Sequence, residues 1–438
     1  MKEVGNKIRS IIKKHKSGSP VGITSVCSAN EFVIKAAMAH AGKFGGVVLI
    51  ESTSNQVDQF GGYTRLTPDR FRDYVYSLAN SIDFSAENIL LGGDHLGPNV
   101  WQGKPHVLAM ENAREQVRAY VRAGYAKIHL DTSMKCADDG PRGWPLDVST
   151  VAERAAQLCE VAEEEMKNRR AVENELVYVI GTDVPTPGGA EGNRNAFKVT
   201  TPVELDATVE ITRREFLKYG LDDAWERVIA VVVQPGVEFG DQKIFDYQRS
   251  RSYELKKNIE EKENLVFEAH STDFQKRESL REMVEDHFAI LKVGPWLTFA
   301  FREALFALEM IEKELLLGNK QAAPSNLSNA VETAMERNPG YWKKYYRGTD
   351  EEKTFKRKYS LSDRIRYYWN DTAVKESLAT LLGNLATVEV PITLVSQFLP
   401  ESFDQIRNKE IDNTPESLIL NRISHVLQIY DYATSGEN

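Results

Sequence analysis

Asn88-Ile89-Leu90-Leu91-Gly92-Gly93-Asp94-His95 passes from an apolar run through two glycines into an acid and an imidazole. A buried parallel strand of a βα barrel has this form. The carboxyl ends of such strands share one concave face, where barrel enzymes place their reacting groups. Three more runs end in the same kind of side chain: His129-Leu130-Asp131-Thr132, Gly181-Thr182-Asp183-Val184 and Glu268-Ala269-His270-Ser271-Thr272-Asp273.

Working outward, short apolar runs at 21–27, 46–53, 88–95, 127–133, 176–184, 228–236, 265–272 and 289–295 alternate with amphipathic stretches at 30–42, 67–79, 106–123, 147–167, 201–219, 249–262, 275–285 and 296–316. Eight strand-then-helix units predict a (β/α)8 TIM barrel. Thr67-Pro68 and Thr201-Pro202 each put proline in a first helical turn behind a hydroxyl that can cap it. The loops at 135–146, 185–199 and 237–248 are long enough to shape a ligand site. Beyond residue 322 the stretches 326–337, 361–369, 374–385 and 415–430 read as helices with no strands between them. The expected division is a barrel at 1–320 and a helical subdomain or cap at 321–438.

The chain has 438 residues, a net charge of −9 and 42% apolar residues. That supports a large core and disfavours nucleic acid as a partner. Three cysteines, Cys27, Cys136 and Cys159, form no CxxC pair, and no apolar stretch spans a bilayer. A cytoplasmic protein with no membrane partner is expected. The phosphate loop of P-loop kinases, the dinucleotide glycine fingerprint and the GxSxG elbow are all missing.

Histidines and carboxylates gathered at one barrel mouth suit a divalent metal. Asp94 and His95 can divide labour, the imidazole on the metal and the carboxylate taking a proton. On the seventh strand Glu268, His270 and Thr272 share a face, and on the fourth His129, Asp131 and Ser133 do. A polar row inside a barrel marks Asp131 as a site residue. The second strand runs into Glu51-Ser52-Thr53-Ser54-Asn55-Gln56, whose polar groups suit a polyhydroxylated ligand.

Taken together, ESTSNQVDQFGGY at 51–63, GDHLGPN at 93–99, HLDTS at 129–133, GTDVPTPGGA at 181–190, EAHSTDF at 268–274, KVGPWL at 292–297 and QFLP at 397–400 resemble one family over nearly the whole chain. It is the non-catalytic subunit family of class II tagatose-bisphosphate aldolases, GatZ/KbaZ-like, also labelled tagatose-6-phosphate kinase. Some members are associated with epimerising ketoses at C4. The resemblance implies distant kinship to the catalytic class II aldolases. There Asp94 would match the acid/base aspartate, and His95 and His270 would match two zinc histidines. The third zinc histidine, after strand six, has no counterpart in 234–240. Ser271-Thr272-Asp273 and Gly294-Pro295-Trp296-Leu297 replace the motifs that grip phosphate.

The implied function is a metal-dependent 4-epimerase that interconverts the tagatose and fructose configurations of a ketohexose or its phosphate by retro-aldol chemistry. The alternative is a non-catalytic subunit that stabilises a class II tagatose-1,6-bisphosphate aldolase. A third reading, a sugar kinase, has the missing phosphate loop against it. The expected catalytic residues are Asp94, Asp273 and Asp131. Glu51, Asn55, Gln56, His129 and Ser271 would contact substrate. Metal ligands would be His95 and His270, with Asp183, Glu238 or Gln234 completing the shell around zinc, manganese, cobalt or nickel. The expected partners are a small ketose or ketose phosphate, a class II aldolase subunit, and further copies of the chain.

Overall fold

The structure is a computed structural model that describes residues 4–43, 46–140, 145–168, 175–181, 198–317 and 323–436. The barrel strands are β1 (Ile23–Val26), β2 (Val48–Thr53), β3 (Ile89–Leu96), β4 (Lys127–Leu130), β5 (Val177–Gly181), β6 (Val228–Val232), β7 (Val266–Ala269) and β8 (Ile290–Val293). All pair in parallel, and β8 closes onto β1. The TIM barrel expected from the alternation is present, each strand inside its predicted run except β3, which continues one residue further to Leu96.

The inside of the barrel is layered. Its amino-terminal end is apolar, with Ile23, Leu49, Leu90, Val177, Val179, Ile229, Val266 and Ile290 packed together. Ile8 and Ile12 of the helix Val4–Lys16 plug this end. The sequence reading saw only the basic character of that segment. Its apolar side is two isoleucines four apart, a stripe too narrow to stand out among lysines.

The middle layer is ionic. Glu51 on β2, Gly92 on β3 and Lys127 on β4 lie side by side in register. A Cβ on Gly92 would come within 2.7 Å of the Glu51 side chain, so glycine leaves the room through which Glu51 reaches Lys127. Lys127 Nζ sits 2.7 Å from Glu51 Oε1 and 2.6 Å from Glu268 Oε2, with all three side chains wholly buried.

Thr201 forms a full capping box with Glu204, as its spacing suggests. Thr67 makes no cap bond; its hydroxyl donates to Asp69 instead. The stretch 361–369 is not an α-helix. Asp363 adopts a left-handed backbone at φ 42°, limiting helical geometry to the short turn Arg364–Tyr367. Helices Leu327–Arg337 and Thr372–Ala386 form where expected, and Asp350–Tyr359, Ile392–Phe398 and Phe403–Arg407 are additional. The last helix, Pro415–Thr434, packs on helices Glu31–Lys43, Arg277–Glu285 and Pro295–Leu315. Its Tyr430 hydroxyl donates to the Thr272 carbonyl at 2.9 Å. No helix among the described residues is long and apolar enough to cross a membrane.

Near the plugged end, His15 Nδ1 donates to the Val21 carbonyl at 2.7 Å, and its Nε2 meets His287 Nδ1 at 2.9 Å. Burial lowers the His15 pKa to about 4, helped by His287 and Lys16. The folded value thus lies below the unfolded one. As pH falls from about 6.5 to 4 the unfolded chain takes up the proton first and the fold loses stability. His15→Asn keeps a donor for Val21 but cannot titrate. It should lose on the order of 2 kcal/mol less stability than the parent between pH 7 and 4.5. Parallel denaturant titrations at the two pH values check this; equal losses would refute it.

Candidate functional site

The ends of β3, β4, β7 and β8 bring their polar side chains to one mouth. They line a cavity of about 360 Å³ whose walls include Cys27, Asn55, Gln56, Asp94, His95, Asp131, His270, Ser271, Asp273 and Lys292. Tyr63 and the C-terminal Arg366 and Tyr367 close its outer side. Tyr367 stacks on Tyr341 at 4.8 Å between centroids and meets Tyr63 edge-on at 4.9 Å.

Three imidazoles meet beneath this roof. The ring centroids of His95 and His270 are 4.8 Å apart, those of His95 and His129 5.0 Å, and those of His129 and His270 5.3 Å. Asp94 joins them, and one donor atom from each of the four lies within 4.8 Å of the others. His95 and Ser271 hold left-handed backbones at φ 50° and 53°. Such strain is uncommon outside glycine and collects at functional sites. Gly97, just past β3, lets the chain pass close to β4: a Cβ there would lie 1.8 Å from the Asp131 carbonyl oxygen.

Hydrogen bonding sets each ring. His95 Nδ1 donates to Asp131 Oδ2 at 2.7 Å, which turns Nε2 toward the cluster. His129 Nε2 donates to the Gly181 carbonyl at 3.0 Å. Its Nδ1 accepts the His95 backbone N–H at 3.3 Å and lies 3.0 Å from Asp94 Oδ1. His270 Nε2 donates to Glu268 Oε1 at 3.0 Å. Burial lowers the His270 pKa to about 3, with Lys292 adding to the shift, so the ring is neutral. Its Nδ1 lone pair is buried and has no hydrogen-bond partner among the described residues.

The carboxylates are held charged. Burial would raise the Asp94 pKa, but the charges of His95 and Lys292 outweigh it and keep the group well below the usual range. Asp131 is lowered despite its burial, through His95. Lys292 Nζ contacts Asp94 Oδ1 and lies 2.9 Å from Glu51 Oε2 and 3.4 Å from Glu268 Oε1. Burial opposes its charge, and Asp94, Glu51 and Glu268 override it, raising its pKa. An ammonium held this way has no lone pair for Schiff-base chemistry. The Cys27 thiol is pushed up, chiefly by burial, and faces the cavity un-ionised.

Of the residues expected from sequence, Asp94, His95, Asp131, His270, Ser271, Asp273, Asn55 and Gln56 line the cavity. His129, expected on substrate, lies within the cluster of His95, His270 and Asp94 and is not among the residues lining the cavity. Glu51, also expected on substrate, lies below the cavity in the ionic layer, drawn there by Lys127 and Lys292. Glu238 stays outside the donor cluster, and Gln234 is not among the residues lining the cavity. Gln234 Oε1 accepts from the Gly236 N–H, while Glu238 takes the Phe239 N–H and the Ser271 hydroxyl. Asp183 lies outside the described residues.

Asp273 serves as an anchor in this structure. Its Oδ1 accepts from the backbone N–H of Gly294 at 3.0 Å and of Trp296 at 2.8 Å, at the start of helix Pro295–Leu315. Burial raises its pKa to about 6. The sequence reading missed Lys292, Arg366 and Tyr367. A lysine inside the otherwise apolar eighth strand was a readable signal, because a buried ammonium demands carboxylates. Nothing local announces that 366–367 reaches the barrel mouth.

The chain matches the family described as D-tagatose-1,6-bisphosphate aldolase subunit GatZ/KbaZ-like over residues 8–435. It is 48% identical over 430 residues to a Klebsiella pneumoniae protein named D-tagatose-1,6-bisphosphate aldolase subunit GatZ, covering 98% of this chain and all of that one. A crystal structure described as a probable tagatose 6 phosphate kinase from Sinorhizobium meliloti 1021 superposes with a TM-score of 0.85. It is 43% identical, and the match covers 94% of this chain and all of that one.

Proposed function

The chain belongs to the GatZ/KbaZ-like family of D-tagatose-1,6-bisphosphate aldolase subunits, and on that premise we propose that it serves as the supporting subunit of a class II aldolase of this specificity. The observation that carries the reading is the match to a named aldolase subunit along that protein's whole length. The test is co-expression with a catalytic class II tagatose-bisphosphate aldolase chain. The two should co-elute, and the aldolase should keep its activity longer at elevated temperature than it does alone. Separate elution and an unchanged lifetime would sink the reading.

A second reading is favoured by the unpartnered His270 Nδ1 beside Asp94. In it the isolated chain epimerises a ketohexose or its monophosphate at C4. His95 and His270, with Asp94 beside them, suit a divalent ion: zinc, or manganese, cobalt or nickel. Such an ion would supply Lewis acidity at the ketose carbonyl and its neighbouring hydroxyl. Asp131 and Glu268 fix the orientation of His95 and His270. Asp94, kept ionised by its neighbours, takes the C4 hydroxyl proton. The C3–C4 bond then opens, its electron pair passing to the C2 carbonyl oxygen. The aldehyde half turns over, the bond re-forms on its other face, and Asp94 returns the proton. Fructose, tagatose and their 6-phosphates incubated with the isolated chain and each metal test this. No conversion with any metal would leave the supporting-subunit reading alone.

Orientation of the metal histidines can be tested separately. Asp131→Asn should weaken metal affinity about 10–100-fold, because it removes the carboxylate that orients His95. Competition with a chromophoric chelator measures the change. Unchanged affinity would detach Asp131 from the metal site.

A further inference from the structure

The loops after strands seven and eight of a βα barrel, with the helix start beside them, are a frequent phosphate site. Free N–H groups and the positive end of the helix dipole create it. This chain has every part of such a corner. Helix Pro295–Leu315 begins directly after β8, and the N–H groups of Gly294 and Trp296 point toward the β7 loop. The cationic side chain of Arg366 lines the same cavity and acts electrostatically on the corner. No carboxylate lies within ion-pair distance of Arg366 among the described residues; its guanidinium donates to the Ser362 and Asp363 carbonyls and the Tyr367 hydroxyl.

The corner is already filled. Asp273 comes from the β7 loop, is 3% exposed, and satisfies both N–H groups with a single oxygen. A phosphate oxygen would need those same two donors. It would also bring its charge against a carboxylate, and like charges in a buried site repel.

We propose that Asp273 is a specificity-determining residue: a built-in anion that occupies the strand-seven/strand-eight corner and keeps phosphate groups out of it. The cavity then accepts a sugar whose end at this corner is a neutral hydroxyl. A ketose bisphosphate, which needs anion sites at both ends, is excluded. This goes beyond both readings above and depends on neither, since it concerns binding by the isolated chain.

Inorganic phosphate is the probe, titrated by calorimetry against the full chain at pH 7.5 without a partner subunit. The parent should show no binding at low-millimolar phosphate. Asp273→Ala frees the Gly294 and Trp296 N–H groups and should gain at least 10-fold in phosphate affinity. Arg366→Ala added to it should remove most of the gain. Asp273→Ser, with a short hydroxyl left to cap the helix, should gain less and covers the case in which the alanine variant fails to fold. Phosphate binding by the parent equal to that of the variants would overturn the proposal, as would folded variants with no gain. Tight binding of a ketose bisphosphate to the parent would overturn it without reference to any variant.

Discussion

Lys127→Met is expected to lower folding stability by about 3–5 kcal/mol, the typical cost of removing one partner from a buried ionic set. Lys127 is fully buried between Glu51 and Glu268, and both acids are fully buried too. Methionine fills most of the volume, so the loss is electrostatic: two carboxylates inside the barrel keep only Lys292 as a cation. Denaturant unfolding measures the effect. Glu51→Gln combined with Lys127→Met should recover part of the loss, because it deletes one stranded charge while conserving shape. A single variant as stable as the parent would show that the ionic layer contributes nothing to the fold.

If the isolated chain epimerises ketoses, Asp94→Asn should cut turnover by about 10²–10⁴-fold, the usual worth of a positioned general base. The amide conserves shape, so fold and metal content should persist while the proton-accepting oxygen is lost. Its present state depends on His95 and Lys292, which hold the carboxyl well below its ordinary range against the effect of burial. The route through C3–C4 cleavage breaks no C4–H bond, so product formed in deuterium oxide should carry no deuterium at C4. Deuterium found there by NMR would reject that route in favour of stepwise proton transfer at carbon. An Asp94→Asn variant with full turnover would remove Asp94 from the chemistry.

Much of the site could be read from strand ends because of one geometric fact. In a parallel barrel every strand runs the same way, so residues that finish a strand finish it at the same mouth. Asp94, His95, Asp131 and His270 needed no further information to be placed together. Helix starts were less readable. Thr67 and Thr201 both precede a proline, yet only Thr201 caps, because Glu204 at the third helical position completes its box while Asp69 draws the Thr67 hydroxyl away.

The sequence alone determined the closed eight-stranded barrel, through the length and apolar character of its runs, and the sharing of one mouth by its acid and imidazole strand ends. Tertiary structure decided the partners. His129 joins the histidine cluster because the Gly181 carbonyl on β5 fixes its Nε2 and leaves its Nδ1 beside Asp94. Glu51 belongs to the ionic layer because it stands in register with Gly92 and Lys127 on the neighbouring strands. Asp273 is tied to a helix start that begins 21 residues later, and Arg366 arrives from the C-terminal helices. Such pairings depend on the register of strands and the reach of distant segments, and the alternation along one strand carries no record of either.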